Sequence, residues 1–216
     1  MNDPLASTPL LERHPTGMIR GTAACVALVA LAGLSLNFLA LFESAPTAVS
    51  AIWTLLRYFT ITTNLMIAVL FIAIAVTGRA SLVPKWMGCA VLSIVLVGVV
   101  YAVLLSGLYQ FTGRMYVADV LLHRVTPILV PLFWLALVPK GNFRWHDPLI
   151  WALYPLGYFA YAMIRGEADG QYAYPFINVA ELGWGQTAFN AVAIAIGYFM
   201  VGSAFIWLDR KLDRWG

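Results

Sequence analysis

One threonine, one histidine and one aspartate have the side chains that acyl transfer requires. Asp119 and His123 are four residues apart, so on a helix the carboxylate lies beside the imidazole and can orient it, leaving the second ring nitrogen free as a base. Thr60, in another apolar segment, could supply the attacking hydroxyl. A hydroxyl becomes a useful nucleophile only when such a base lies within about 3 Å. The alternative is a histidine that only bridges two helices, and the sequence leaves both interpretations open.

The composition predicts the surroundings of these residues. Of 216 residues, 62% are hydrophobic and only 11% are charged, whereas ordinary globular chains are about 25% charged. This excludes a disordered tail and a nucleic-acid-binding module, so we expect no nucleic-acid partner. Cys25 and Cys89 both lie inside apolar runs and form no disulfide framework. The chain is therefore predicted to be an all-α integral membrane protein.

Six apolar stretches are close to the roughly 20 residues that a transmembrane helix needs. The sequence predicts a single domain, residues 1–216, formed by six transmembrane helices at about 18–41, 51–77, 86–109, 117–138, 147–165 and 185–208. Of the 13 Lys and Arg residues, all but Arg57, Arg114, Arg124 and Arg165 then fall on one side of the membrane. The positive-inside rule predicts that both termini are cytoplasmic.

Polar side chains form stripes on several of these helices, and the stripes are predicted to converge in the outer half of the membrane. On the second helix, Trp53, Arg57, Thr60 and Asn64 are spaced four, three and four residues apart and are predicted to share one face. The candidate substrate-binding residues on the stripes are Arg57, Asn64, Tyr161, Arg165 and Asn190.

Each of these candidates also has a plainer interpretation. An arginine could hold an anionic group of the substrate, and Asn64 or Tyr161 could donate to an oxyanion. Alternatively, asparagines in membrane bundles join helices through hydrogen bonds, and long basic side chains reach to the interface. His14 and His146 belong to the cytoplasmic side, which leaves too few histidines for a zinc or bis-histidine haem site, although carboxylates alone could bind a cation. No phosphate-binding glycine motif occurs, and we expect no metal and no cofactor.

Several short motifs bring a known family to mind. They are Arg57-Tyr58-Phe59-Thr60, Thr63-Asn64-Leu65, His123 with Pro127, the run from Tyr154 to Gly166, and Tyr174-Pro175-Phe176. Through them the chain resembles, over about its whole length, the androgen-induced and androgen-dependent (ADTRP-like) membrane hydrolases, and especially their bacterial branch. The eukaryotic members are six-helix hydrolases of fatty acid esters of hydroxy fatty acids that use one threonine and one histidine. The resemblance implies that these residues are Thr60 and His123 here, and it fits a bacterial inner membrane.

The residues and the resemblance together predict an intramembrane threonine-dependent lipid ester hydrolase. Thr60 would be the nucleophile, His123 the base and Asp119 its orienting partner, and the substrate would be a lipid or fatty-acid ester. The alternative is a non-enzymatic small transporter or lipid-binding protein that uses the same pocket. The catalytic interpretation requires Thr60 and His123 to lie within hydrogen-bond reach beside a cavity that lipid can enter.

Overall fold

The computed structural model describes residues 15–80 and 84–213, and within them all regular structure is helical. Arg13, His14 and Arg214, which the sequence arguments on orientation and metal sites used, lie outside the described residues. The α-helices are α1 (Thr16–Phe42), α2 (Ala48–Leu55), α3 (Phe59–Thr77), α4 (Pro84–Val100), α5 (Gly113–Val120), α6 (Thr126–Leu137), α7 (Asp147–Trp151), α8 (Leu153–Asp169) and α9 (Val179–Asp213). Two π-helical turns, Tyr101–Leu105 and Leu121–Val125, and one 3₁₀ turn, Pro175–Ile177, complete the description.

Five continuous helical segments are long and apolar enough to cross a membrane. They are Thr16–Phe42, Phe59–Thr77, Pro84–Leu105, Gly113–Leu137 and Val179–Asp213. The stretch predicted as the fifth span, residues 147–165, is instead divided into α7 and the 17-residue α8. At about 1.5 Å per residue, α8 alone is slightly shorter than the hydrocarbon core is thick.

A break in the second predicted span changes the geometry around Thr60. The chain leaves the helix after Leu55 and resumes it at Phe59, and the backbone of Tyr58 is extended. Trp53 and Arg57 therefore do not lie on the same helix as Thr60. The prediction that all four polar residues share one helical face is wrong, because the break gives the two halves of the stripe different axes.

Packing of the long helices produces the core that supports the site. Helix α1 lies along α3 and α5, and α4 packs against α3 and α6. Phe71 of α3 meets Phe133 of α6 edge to face, with ring centroids 4.9 Å apart, and Ile67 and Met87 are fully buried beside them. These contacts hold α3, α4 and α6 against one another.

Candidate active site

The start of α3 determines where Thr60 lies. Phe59 is the first residue of the helix, and Thr60 the second. The N–H groups of the first helical turn have no acceptor inside the helix, so Thr60 presents both its hydroxyl and its N–H at this end. That N–H lies 3.5 Å from the hydroxyl oxygen of Tyr174. Thr60 is a buried residue, only 6% exposed, so its polar groups meet protein neighbours and cavities rather than bulk water.

A π-helical turn positions His123. Pro127 has no N–H to donate to the carbonyl of His123 four residues earlier, and the backbone here pairs at a spacing of five, with the N–H of Thr126 bonded to the carbonyl of Leu121. In this turn the Nε2 atom of His123 lies 3.1 Å from the Oγ1 atom of Thr60, a hydrogen-bond distance. The threonine hydroxyl donates when the imidazole carries its proton on Nδ1.

Asp119 and Tyr101 extend this chain of polar groups. The Nδ1 atom of His123 lies 3.0 Å from the Oδ1 atom of Asp119, within ion-pair range, although the Nδ1 hydrogen is not aligned on that oxygen. The Tyr101 hydroxyl donates to the Oδ2 atom of Asp119 at 2.6 Å. The rings of Tyr101 and His123 stack with centroids 4.4 Å apart and planes 15° apart. The stacked tyrosine therefore holds both the carboxylate and the imidazole.

Two cavities of different character meet at Thr60. One, of about 300 Å³, has an almost entirely apolar wall that includes Phe59, Leu96, Leu156 and Ala195. The other, of about 470 Å³, has a mixed wall with more polar side chains and is called the polar cavity. Its wall includes Tyr101, Asp119, His123, Asn178 and Glu181. Thr60, Leu105 and Tyr174 line both. A bond held at Thr60 would therefore have an apolar environment on one side and a polar environment on the other.

The loop between α8 and α9 covers this end of the bundle and is tied down at several points. Arg57 donates to both carboxylate oxygens of Asp169, at 3.0 and 2.5 Å, and also to the backbone carbonyl of Gln171. Gly166 lets the Tyr172 ring lie directly on α8, since a Cβ atom at this glycine would be 2.5 Å from the Cδ1 atom of Tyr172. These contacts hold the loop in the position that brings Tyr174 to Thr60.

The Arg57–Asp169 pair predicts a pH-dependent contribution to stability. The hydrogen-bonded guanidinium lowers the pKa of Asp169 to about 2, below the usual aspartate value. A depressed carboxyl pKa stabilises the folded state above the unfolded-state value, near 4, and this stabilisation is lost as the pH falls through about 2. Asp169→Asn should therefore lower the melting temperature in detergent by a constant amount above pH 5, and by progressively less below pH 4. In an Arg57→Gln background the same substitution should have a smaller effect, because only Arg165, 3.8 Å away, and the N–H of Gln171 then remain as partners of the carboxylate. A difference that persists undiminished at pH 2 would contradict this assignment.

The five residues predicted to bind substrate line neither cavity and have protein partners instead. Arg57 is paired with Asp169. Asn64 is fully buried and donates to the carbonyls of Thr60 and Leu122, at 2.9 and 3.4 Å, so it joins two helices.

The other three predicted residues, Tyr161, Arg165 and Asn190, lie near the loop between α8 and α9. Arg165 donates to the Tyr161 hydroxyl at 2.8 Å and stacks over the ring of Trp53 at 4.0 Å. Asn190 donates to the carbonyl of Phe176 at 2.9 Å and fixes the loop to α9. The plainer interpretation of the asparagines, hydrogen bonds that join segments, therefore describes Asn64 and Asn190. The two arginines are instead buried against protein partners and do not reach to an interface.

The sequence analysis did not identify two tyrosines beside Thr60 and His123 as functional residues. Tyr101 is the single tyrosine of the apolar segment Pro84–Leu105. A phenolic hydroxyl near the end of such a segment was the sequence feature that could have indicated its role. Tyr174 appeared only within a motif. Its ring packs against Phe176 and Tyr58, and this withdrawal from water raises the pKa of its hydroxyl, which therefore keeps its proton.

The fold and the site define the class of this protein as an all-helical membrane protein with a buried Thr–His–Asp constellation between two cavities. Within residues 15–80 and 84–213, no group of three or more His, Cys, Asp or Glu side chains is arranged to hold a metal ion. Comparison with known family models, curated proteins and solved structures finds no match for the chain.

Proposed function

We propose that the protein is an intramembrane threonine-dependent hydrolase of lipid esters, of the ADTRP-like kind that its motifs resemble. The observation that carries the proposal is the 3.1 Å distance between Thr60 Oγ1 and His123 Nε2, at the point where an apolar and a polar cavity meet. A nucleophile requires a base at this distance, and an ester of a fatty acid has one apolar and one more polar side.

The topology proposed with this function has six spans and both termini in the cytoplasm. Helices α7 and α8 together run from Asp147 to Asp169, with only Ala152 between them, and a continuous helix of this length would extend about 35 Å, enough to cross the hydrocarbon core. In this arrangement Thr60 and the α8–α9 loop belong to the outer half of the membrane.

The reaction would proceed through an acyl-threonine. The Thr60 hydroxyl attacks the ester carbonyl carbon while its proton passes to Nε2 of His123, and Asp119 stabilises the imidazolium that results. The tetrahedral intermediate collapses, the bond to the alcohol oxygen breaks, and His123 returns the proton to that oxygen. Water, deprotonated by His123, then attacks the acyl-threonine, releases the fatty acid and regenerates Thr60.

The negative charge that develops on the carbonyl oxygen needs donors fixed in advance. The Tyr174 hydroxyl borders both cavities beside Thr60, and its oxygen accepts from the Thr60 N–H at 3.5 Å, so its own O–H is the donor that could bind this oxygen. The N-terminus of the 19-residue helix α3 adds a favourable dipole at the same point. Of the donors suggested from sequence, Asn64 donates to backbone carbonyls, and Tyr161, which accepts from Arg165, lines neither cavity.

Removal of the Tyr174 hydroxyl should slow the chemical step. For Tyr174→Phe we expect kcat to fall by about 10²-fold with little change in KM, because the lost donor acts on charge that exists only in the transition state. Tyr172→Phe is the matched control, since this tyrosine also lines the polar cavity but its hydroxyl donates to Glu167 at 2.6 Å. Equal losses in the two variants would contradict the oxyanion role.

The proposed function itself is tested by locating a covalent adduct. Protein purified in a non-ionic detergent would be treated with a fluorophosphonate and, separately, assayed with a fluorogenic medium-chain ester. Digestion and mass spectrometry should find the phosphonyl group on Thr60, with ester turnover lost in proportion to labelling. An adduct at another residue, or protein that neither reacts nor hydrolyses any ester, would contradict the proposal and favour a transporter or lipid-binding protein.

A further inference from the structure

Only one of the two cavities is lined by His123. If the proposed function holds, this difference determines which part of the ester lies in which cavity. His123 lines the polar cavity and is not part of the apolar wall, whereas Thr60 lines both. The alcohol oxygen must receive its proton from His123 when the ester bond breaks. The alcohol part of the ester therefore lies in the polar cavity, and the fatty acyl chain lies in the apolar cavity.

The wall of the polar cavity contains several hydrogen-bond acceptors that carry a full or partial negative charge. Its wall contains the carboxylates of Asp119 and Glu181, and among the side chains described it includes no lysine or arginine. The Oδ1 atom of Asn178 is buried there and has no hydrogen-bond donor within the described parts of the chain. An anionic group in this cavity would be repelled by two carboxylates, with no fixed cation in the wall to offset them.

None of the nearby guanidinium groups that the structure describes lies in the wall of the polar cavity. Arg57 is paired with Asp169, and Arg165 is stacked on Trp53. Arg124 donates to the Tyr101 hydroxyl at 3.2 Å from the exposed side of that ring, outside the cavity wall. The protonated His123 formed during catalysis is itself offset by Asp119.

Aromatic rings cover much of the remaining wall. They belong to Tyr58, Tyr101, Tyr109, Phe111, Tyr172 and Tyr174. Ring faces attract cations, most strongly where a carboxylate lies close by and water is partly excluded. We infer that the alcohol part of the substrate carries no negative charge and that a cationic ammonium group is favoured at its end. This substrate class differs from the hydroxy fatty acids that the family resemblance implies.

The inference is tested with three decanoate esters that share an acyl chain and differ in the charge of the alcohol. These are the choline ester, its neutral isostere the 3,3-dimethylbutyl ester, and the anionic 3-carboxypropyl ester. In non-ionic detergent at low salt, we expect kcat/KM for the choline ester to exceed that for the carboxypropyl ester by about tenfold or more, with the neutral ester between them. Equal or faster turnover of the carboxypropyl ester would overturn the inference.

The Glu181→Gln variant tests whether a preference for the choline ester arises in the polar cavity. Glu181 is exposed at the start of α9, so its substitution leaves the core intact. We expect the ratio of choline ester to neutral ester to fall about threefold, since the ring faces still act on the cation. Glu43→Gln is the control, because Glu43 is an exposed carboxylate paired with Arg114 and lies outside the cavity wall. Because every variant is assayed on the same two esters, differences in how the esters partition into micelles cancel when the ratios of the variants are compared. A preference that both variants leave equally intact would overturn the assignment.

Failure of the hydrolase proposal and failure of this inference give different results. If the wild type hydrolyses none of the three esters, the hydrolase proposal fails. Binding to the Thr60→Ala variant, which cannot form the acyl-threonine, then decides the inference by the rise in melting temperature that each ester produces. A larger rise with the choline ester than with the carboxypropyl ester, reduced when Glu181→Gln is added, supports the cation-accepting cavity. Equal rises, or a larger rise with the anionic ester, overturn it.

Discussion

Replacement of Thr60 by alanine is expected to lower kcat/KM for ester hydrolysis by about 10⁴-fold or more, because no hydroxyl then remains to form the acyl intermediate. Thr60 is the residue that borders both cavities and lies 3.1 Å from the imidazole nitrogen. The measurement is single-turnover hydrolysis of a medium-chain ester by purified protein, with fluorophosphonate labelling in parallel. Both should be lost while the melting temperature changes little, since the side chain removed is small.

Two further variants make the result for Thr60 specific. Thr60→Ser keeps the hydroxyl and should retain measurable turnover and labelling. Thr62→Ala removes a hydroxyl from the same helix that bonds the Phe59 carbonyl and the hydroxyl of Tyr154, away from His123, and should leave kcat within about threefold of the wild type. Full activity in Thr60→Ala would eliminate the threonine mechanism.

Removal of the imidazole should have an effect of similar size. His123→Ala is expected to reduce kcat by about 10⁴-fold, because a base and an acid are lost together and the threonine hydroxyl is a weak nucleophile without them. Fluorophosphonate labelling should slow to a comparable extent, since the same proton transfer activates Thr60. Pre-steady-state labelling rates measure this step without dependence on the choice of ester.

The control for the histidine lies at the opposite end of the bundle. His146 is largely exposed beside Asp147 and lines neither cavity, and His146→Ala should leave both rates unchanged. If His123→Ala retained rapid labelling while losing only stability, the histidine would have the bridging role that the sequence left open. The 3.1 Å contact with Thr60 would then be a structural hydrogen bond.

Short-range patterns were enough to predict parts of the fold and of the site. Apolar runs of about 20 residues predicted helices at five places where spanning helices occur, because hydrocarbon requires every backbone group to be paired within its own helix. The spacing from Asp119 to His123 predicted a carboxylate beside the imidazole, and these atoms are 3.0 Å apart. Both features depend on neighbours within a few residues.

Features that depend on distant neighbours could not be predicted in this way. The break at Tyr58, which moves Arg57 off the face of Thr60, follows no local rule in an apolar run. Arg57 looked available for a substrate because its partner, Asp169, lies 112 residues away. Tyr101 approaches Asp119 from another helix, and Tyr174 approaches Thr60 from the loop between α8 and α9, so sequence spacing could not indicate either contact.

The sequence by itself determined that the chain is helical, that its helices are apolar enough for a membrane, and that a hydroxyl, an imidazole and a carboxylate lie within its apolar segments. These properties follow from composition and helical periodicity, which local backbone and solvation energies impose. Only the tertiary structure decided that Thr60 meets His123, that the arginines are paired with the protein itself, and that Thr60 separates an apolar cavity from an acidic, aromatic one. The physical reason is that side-chain pairing and cavity shape depend on packing between segments far apart in the chain, and helical periodicity carries no information about that packing.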